Sequence, residues 1–389
     1  MSGDRDIIRN IYVDNGFSPT YYRFGRNLDV TFDAVGHAIS FTLPIQKMCN
    51  LTRVPQLRHL ATFGLKKGWQ SRVPIPDLGV LHDHSALERM ILESVLLPNP
   101  GVLAGLNANR IKGLAFRFMT FTAWKIIALF RLIEELELYL HNSVDWGMIC
   151  ALETLRQLRV FYGNLTSLAG ISSLKQLATL AIMYNPSITS IAEIASLQRL
   201  EALHLSGTRA KDLSPLWNLS RLKILEWHEC PSDDYSPLAG LSRLLDLDLY
   251  RAKITDCAFL ANLHSLQKLN LEGTFVASID PLAKLLGLQN LNLSWSAIHD
   301  ITPLAGLSCL KILDLDGTKL QNLTPLAEMS ALEELSLIDA TWDDLRPLKD
   351  APKLRLLHLR EGQTARMEDQ LLQLERDRPD LHIELYPLA

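Results

Sequence analysis

From residue 221 onward the chain can be written as six successive lines of 22 residues with apolar residues at the same places: RLKILEWHECPSDDYSPLAGLS, RLLDLDLYRAKITDCAFLANLH, SLQKLNLEGTFVASIDPLAKLL, GLQNLNLSWSAIHDITPLAGLS, CLKILDLDGTKLQNLTPLAEMS and ALEELSLIDATWDDLRPLKDAP. Their shared form is LxxLxLxxTxIxDLxPLAxLxx. Side chains alternate across a strand, so the fourth and sixth positions, two apart, point into one core. The third, fifth, seventh and eighth positions then face outward. Each line predicts one short strand followed by a return segment.

The return segment is just as regular. Leu213, Ile279, Ile301, Leu323 and Leu345 bring the chain back to the core. The prolines Pro215, Pro237, Pro281, Pro303, Pro325 and Pro347 preset φ for a short turn or helical start on the outer side. The ninth position is small or hydroxylated (Thr208, Cys230, Thr274, Ser296, Thr318), which suits a side chain that satisfies turn backbone from inside the coil.

Counted by first leucine, the pattern extends from Leu57, Leu87 and Ile111 through Ile133, Leu155, Leu177, Leu200, Leu222, Leu244, Leu266, Leu288, Leu310 and Leu332 to Leu354. That predicts an α/β solenoid of about 14 turns, with an insertion around residues 66–76 interrupting the first register. Strands about 4.8 Å apart pack more closely than the outer segments, so the coil is expected to curve with a parallel sheet on its concave side.

A solenoid exposes its core at both ends and needs caps. Residues 27–43 alternate around Ala34-Val35-Gly36-His37 and predict an N-terminal β-hairpin. At the other end the spacing from Met367 to Leu374 predicts a helix, and Leu381, Ile383 and Leu385 a strand. The expected division is an N-terminal cap over 1–56, repeats over 57–361 and a C-terminal cap over 362–389.

These lines resemble the leucine-rich repeat family, in particular its short, 22-residue internalin-like bacterial subclass. The resemblance covers roughly residues 57–360 and implies a scaffold that binds proteins. It does not imply a particular partner, because one scaffold serves many.

Composition narrows the classes. Of 389 residues 77 are leucine and 48% are hydrophobic, with a formal net charge of -4, which excludes a disordered chain. The apolar stretch Ile111–Leu140 is interrupted by Arg117, Lys125, Arg131, Glu134, Glu135 and Glu137, so no membrane span is expected. The N-terminus MSGDRDIIRN lacks the basic and apolar regions of a secretory signal, and a cytoplasmic location, or export by a route that leaves no apolar signal, is expected. Five scattered cysteines, Cys49, Cys150, Cys230, Cys257 and Cys309, suit neither disulfides nor zinc.

No phosphate loop, nucleophile elbow or metal motif occurs, so neither enzymatic activity, a cofactor nor a metal is expected. The informative residues are the outward strand columns. Earlier turns carry Phe63, Phe118, Tyr139, Phe161, Tyr162, Met183, Tyr184 and His204 there. Later turns carry Glu226, His228 and Glu229; Asp246, Asp248, Tyr250 and Arg251; Lys268, Asn270 and Glu272; Asn290, Asn292, Ser294 and Trp295; Asp314 and Asp316; Glu334, Ser336, Ile338 and Asp339.

Apolar anchoring is therefore expected from Tyr139, Phe161 and Tyr184, with Tyr250 and Trp295 inside an acidic sector. Glu226, His228, Asp246, Asp248, Glu272, Asp314 and Asp316 complete the expected partner-binding set. An acidic wall repels nucleic acid and anionic membrane and steers a basic protein. The leading expectation is a non-enzymatic binding protein, for instance an immunity or inhibitor protein masking a basic toxin or enzyme. The alternatives are a bacterial effector delivered to host cells and a structural adaptor working through its convex face.

Overall fold

The computed structural model describes residues 3–15, 17, 30–35, 37–45, 50–67, 78–95, 100–122, 124–140, 142–362 and 368–387. Cys49, most of the 66–76 insertion, Met367 and the start of the expected hairpin lie outside them. The chain forms two compact units, Met1–Asn185 and Pro186–Ala389.

In the first unit a helix, α1 (Gly3–Asp14), precedes β1 (Val30–Phe32) and β2 (Ala38–Ile45). These two strands pair antiparallel. The Asp33 carboxylate accepts from the Val35 and His37 backbone N–H groups, both at 2.9 Å, and so closes the turn between them. β2 then pairs parallel with β3 (Thr62–Lys67), and the parallel ladder continues through β4 (Arg89–Glu93), β5 (Gly113–Met119), β6 (Glu135–Leu140), β7 (Gln157–Phe161) and β8 (Thr179–Met183). Helix α1 is the element the sequence pattern did not announce. It buries Ile8, Ile11 and Tyr12, and the Asp4 carboxylate accepts from the Ala38 N–H at 2.8 Å. Asn15 exchanges hydrogen bonds with the backbone of Asn50 at 2.9 and 2.7 Å.

The second unit is a parallel ladder of β9 (Ala202–His204), β10 (Ile224–Glu226), β11 (Asp246–Asp248), β12 (Lys268–Asn270), β13 (Asn290–Asn292), β14 (Ile312–Asp314), β15 (Glu334–Ser336), β16 (Leu356–Arg360) and β17 (His382–Tyr386). A helix, α4 (Glu368–Asp377), sits between the last two strands; the short α2 (Trp124–Ile127) and α3 (Trp146–Cys150) belong to the first unit. The returns are one-turn 3-10 segments, most of them with proline at their first positions.

The core follows the repeat. Leu225, Leu247, Leu269, Leu291, Leu313 and Leu335 lie in register across β10 to β15 and are at most 2% exposed. The ninth-position hydroxyls act as expected: Thr208, Thr274 and Ser296 donate to the carbonyls of Leu205, Leu271 and Leu293 at 2.8, 2.7 and 2.6 Å. Thr318 donates likewise to Leu315. Cys230 and Cys257 are buried, and burial pushes both thiols up to about 11, which keeps them protonated.

One register assignment is corrected. Phe63 pairs with Met90, the fourth position of the next turn, and is fully buried beside Leu65. The turn therefore begins at Leu60, not Leu57, and Phe63 belongs to the core instead of the outward wall. The spacing LxxL occurs at Leu57–Leu60 and again, with Phe63 as its second apolar residue, from Leu60. Only the second is followed by strand-forming residues.

Candidate functional site

The eighth position of the repeat has a distinctive backbone. Ser94, Phe118, Tyr162, Tyr184, Glu229, Arg251, Trp295 and Asp339 all occupy it with φ between 51° and 58°, and Gly207, Gly273 and Gly317 occupy it with φ of 77°, 68° and 65°. The chain leaves the strand through a left-handed residue, where glycine is free of strain and a bulky side chain costs roughly 1–2 kcal/mol. Large aromatic residues are nevertheless placed there, and they are exposed: Phe118, Tyr162, Tyr184 and Trp295 show 43%, 43%, 45% and 55% of their surface.

In the first unit these residues join the seventh-position rings into one ridge. Ring centroids lie 4.0 Å apart for Phe118 and Tyr139, 5.5 Å for Tyr139 and Phe161, 5.1 Å for Tyr139 and Tyr162, and 4.7 Å for Tyr162 and Tyr184. The ridge brings together the expected anchors Tyr139, Phe161 and Tyr184. Arg117, in register with Tyr139, reaches across to the neighbouring column and binds Glu137 through two hydrogen bonds of 2.6 and 3.0 Å.

In the second unit the outward columns are acidic, as the sequence implies, but histidines are threaded between the carboxylates. His204 Nδ1 lies 2.9 Å from Glu226. His228 Nε2 lies 3.5 Å from Glu226 and 3.2 Å from Asp248, with the Tyr250 ring edge-on at 5.5 Å. Farther along, His358 sits between Glu334 at 3.1 Å and Glu384 at 3.2 Å. The carboxylate of Asp248 raises the His228 pKa against the opposing effect of burial. His204 lowers that of Glu226. For Asp248, burial pulls upward, and the His228 contact together with the Tyr250 N–H outweighs it, leaving a net lowering.

Several outward carboxylates and amides also hold the backbone. Asp248, Asn270, Asn292 and Asp314, all at the fifth position, accept from the N–H two residues on at 2.9 to 3.1 Å. Asp314 also accepts from the Ser294 hydroxyl. Asp316 accepts from the Ile338 N–H at 2.7 Å and the Ser336 hydroxyl at 2.6 Å. Burial and the neighbouring Asp314 push Asp316 up to about 6. By contrast Asp246, Glu229 and Glu272 accept no backbone N–H among the described residues. Asp246 reaches only Lys268, at 3.9 Å, and Glu272 accepts from the Asn292 amide at 3.2 Å. A shallow cavity of about 300 Å³ opens here over Leu269 and Leu291, rimmed by Asp246, Asp248 and Asp314.

In this unit glycines at the eighth position directly follow the large residues Arg251 and Trp295. A β-carbon on Gly317 would fall 2.3 Å from the Trp295 ring, and one on Gly273 would fall 2.9 Å from the Arg251 side chain. The Trp295 indole therefore lies across the next turn. Two features escaped the sequence reading: the histidine–carboxylate pairing and the left-handed eighth position. The second has a visible signal, because Gly207, Gly273 and Gly317 share a column with Tyr184 and Trp295. Among the described residues no group of three or more His, Cys, Asp or Glu side chains is placed to hold a metal ion, and no helix is long and apolar enough to cross a membrane.

Parallel one-strand turns closed by 3-10 returns, with this leucine ladder inside, define a leucine-rich repeat solenoid. Solved structures agree. A leucine-rich repeat protein of Leptospira interrogans superposes with a TM-score of 0.64 at 18% identity over 85% of this chain and 91% of its own. An internalin (inlF) of Listeria monocytogenes gives 0.53 at 19% identity over 82% and 80%. Internalin C2 of the same species is 36% identical over 48% of this chain and 83% of its own, with a TM-score of 0.47. No family model matches the sequence, and no curated protein does. The chain is a leucine-rich repeat protein whose 22-residue repeats are internalin-like.

Proposed function

We propose that this chain is a non-enzymatic protein-binding scaffold whose outward strand face is the contact surface. The observation that carries the reading is the placement of exposed Phe118, Tyr162, Tyr184 and Trp295 at backbone positions where glycine is unstrained. Ring–ring packing offsets the strain of a large residue there without burying it, and a protein interface uses such exposed rings as anchors.

The acidic columns of the second unit fit a partner with a basic surface. The concrete version is an immunity or inhibitor protein that covers the working face of a basic toxin or enzyme. Residues 57–361 then form the binding array, with 1–56 and 362–389 as its end caps.

The test is affinity capture from the native source with the wild type beside a Glu229→Lys, Asp246→Lys, Glu272→Lys variant. Those three carboxylates accept no backbone N–H, so the variant should fold. A basic protein held by the wild type, released by salt and lost from the variant is the expected result. Retention of the same proteins by the variant would move the contact surface off this face, toward the convex-side adaptor role.

A further inference from the structure

The aromatic ridge of the first unit has its own selectivity, set by how its rings are turned. Tyr162 and Tyr184 are nearly coplanar in orientation, 6° apart, and stack face to face at 4.7 Å. Tyr139 stacks on Phe161 at an interplanar angle of 23°, with Phe118 and Tyr162 tilted against it at 42° and 54°. An aromatic ring is negative on its face and positive on its rim. A lysine or arginine from a partner needs an open face; the stack takes the facing sides of Tyr162 and Tyr184, and their rims and hydroxyls stay available beside it. Rims favour carboxylate oxygens and the faces of other rings.

The charges beside the ridge point the same way. Lys66 is paired with Glu93 at 2.9 Å. Arg89 binds Glu135 at 2.7 Å and lies 3.8 Å from Glu137; Arg117 takes both oxygens of Glu137. Among the described residues Arg159, opposite Glu137 in the ladder, donates only to the Gln157 amide oxygen at 3.0 Å. Three arginines thus face two glutamates, and the surplus positive charge belongs to Arg159. Its neighbour on the other side is Ala181, a small residue that leaves the guanidinium room. Arg159 and Phe161 are two residues apart on β7, so both project outward, roughly 7 Å apart along the strand.

We propose that the ridge takes an extended segment of a partner protein in which a carboxylate lies next to an apolar or aromatic side chain, the carboxylate on Arg159 and the apolar group against the rims of Tyr139, Tyr162 and Tyr184. This goes beyond the basic-partner reading of the acidic columns, because it assigns the opposite charge preference to the first unit and stands on residues of that unit alone.

The experiment is fluorescence anisotropy at physiological salt with the full-length chain and two labelled synthetic peptides. One alternates Asp and Phe with Gly spacers, and the other replaces every Asp with Lys. The Asp/Phe peptide should bind about tenfold more tightly than its Lys/Phe counterpart. Arg159→Glu should lower its affinity by about tenfold, as should Tyr162→Ala combined with Tyr184→Ala. Arg159→Gln gives the reading if the Glu variant melts early by circular dichroism. The Glu229→Lys, Asp246→Lys, Glu272→Lys variant should bind the Asp/Phe peptide as the wild type does, which separates this outcome from failure of the acidic-face proposal. Equal or tighter binding of the Lys/Phe peptide, no binding of the Asp/Phe peptide, or indifference to both Arg159 substitutions would overturn the assignment.

Discussion

At the eighth position a single residue decides between local comfort and exposed surface. Gly317, with φ of 65° and no room for a β-carbon under the Trp295 ring, is fixed by both backbone and packing. Gly317→Ala is expected to destabilise the chain by about 1–3 kcal/mol in urea unfolding, and Trp295→Ala in the same chain should recover part of that loss. Tyr184→Gly should do the reverse, leaving stability unchanged or raised by up to about 1 kcal/mol while removing a contact residue. A large loss of stability in Tyr184→Gly would show that the ring serves packing.

Asp316 adds a pH signature. Its pKa in the fold, about 6, lies above its ordinary 3.8, so the native state binds the proton more tightly than the unfolded chain. The charged carboxylate therefore weighs against folding above about pH 6, and this burden lifts as the pH falls toward 4. Asp316→Asn keeps an acceptor for the Ile338 N–H and should stabilise the chain by about 1 kcal/mol at pH 7–8, with the difference vanishing below about pH 4. An equal effect at both pH values would contradict the assignment.

Among elements, the short returns depend on their first residues. Asp212, Asp234, Asp256, Asp300, Asn322 and Asp344 each accept from the N–H two residues on at 2.8 to 2.9 Å, at the start of a 3-10 segment. The side-chain and backbone contacts of Thr302 lower the Asp300 pKa, so its contribution is present above the ordinary carboxylate range and is lost as the pH falls through the lowered value. Asp300→Ala should cost about 0.5–1 kcal/mol at neutral pH and nothing in strong acid, by thermal melts at both. These aspartates are structural, and counting them as binding charge would mislead.

The same elements show what the sequence can and cannot tell. The leucine ladder, the proline returns and the ninth-position hydroxyls were legible because each recurs at a fixed spacing and has one physical purpose. Helix α1 was not, since it occurs once and its buried Ile8, Ile11 and Tyr12 follow no repeat. Phe63 was misplaced because two overlapping LxxL spacings compete near it. The double duty of Asp248, Asp314 and Asp316 was also hidden. An outward carboxylate looks the same in sequence whether it waits for a partner or holds its own backbone.

For the whole molecule, a net charge of -4 conceals two different faces on two units. The first carries a ring ridge with one surplus arginine, and the second carries carboxylates with His204, His228 and His358 set between them. Exposed rings also occur away from the strand face: Trp217, at 53% exposure, follows a proline return, and Phe275, at 63%, follows the ninth-position turn. They provide internal controls for the central claim that the strand face binds the partner. The measurement is hydroxyl-radical footprinting of the chain with and without its captured protein, read ring by ring. Protection of Phe118, Tyr162, Tyr184 and Trp295 with Trp217 and Phe275 still reactive is the predicted result; protection of Trp217 and Phe275 with the four strand-face rings still reactive would contradict it.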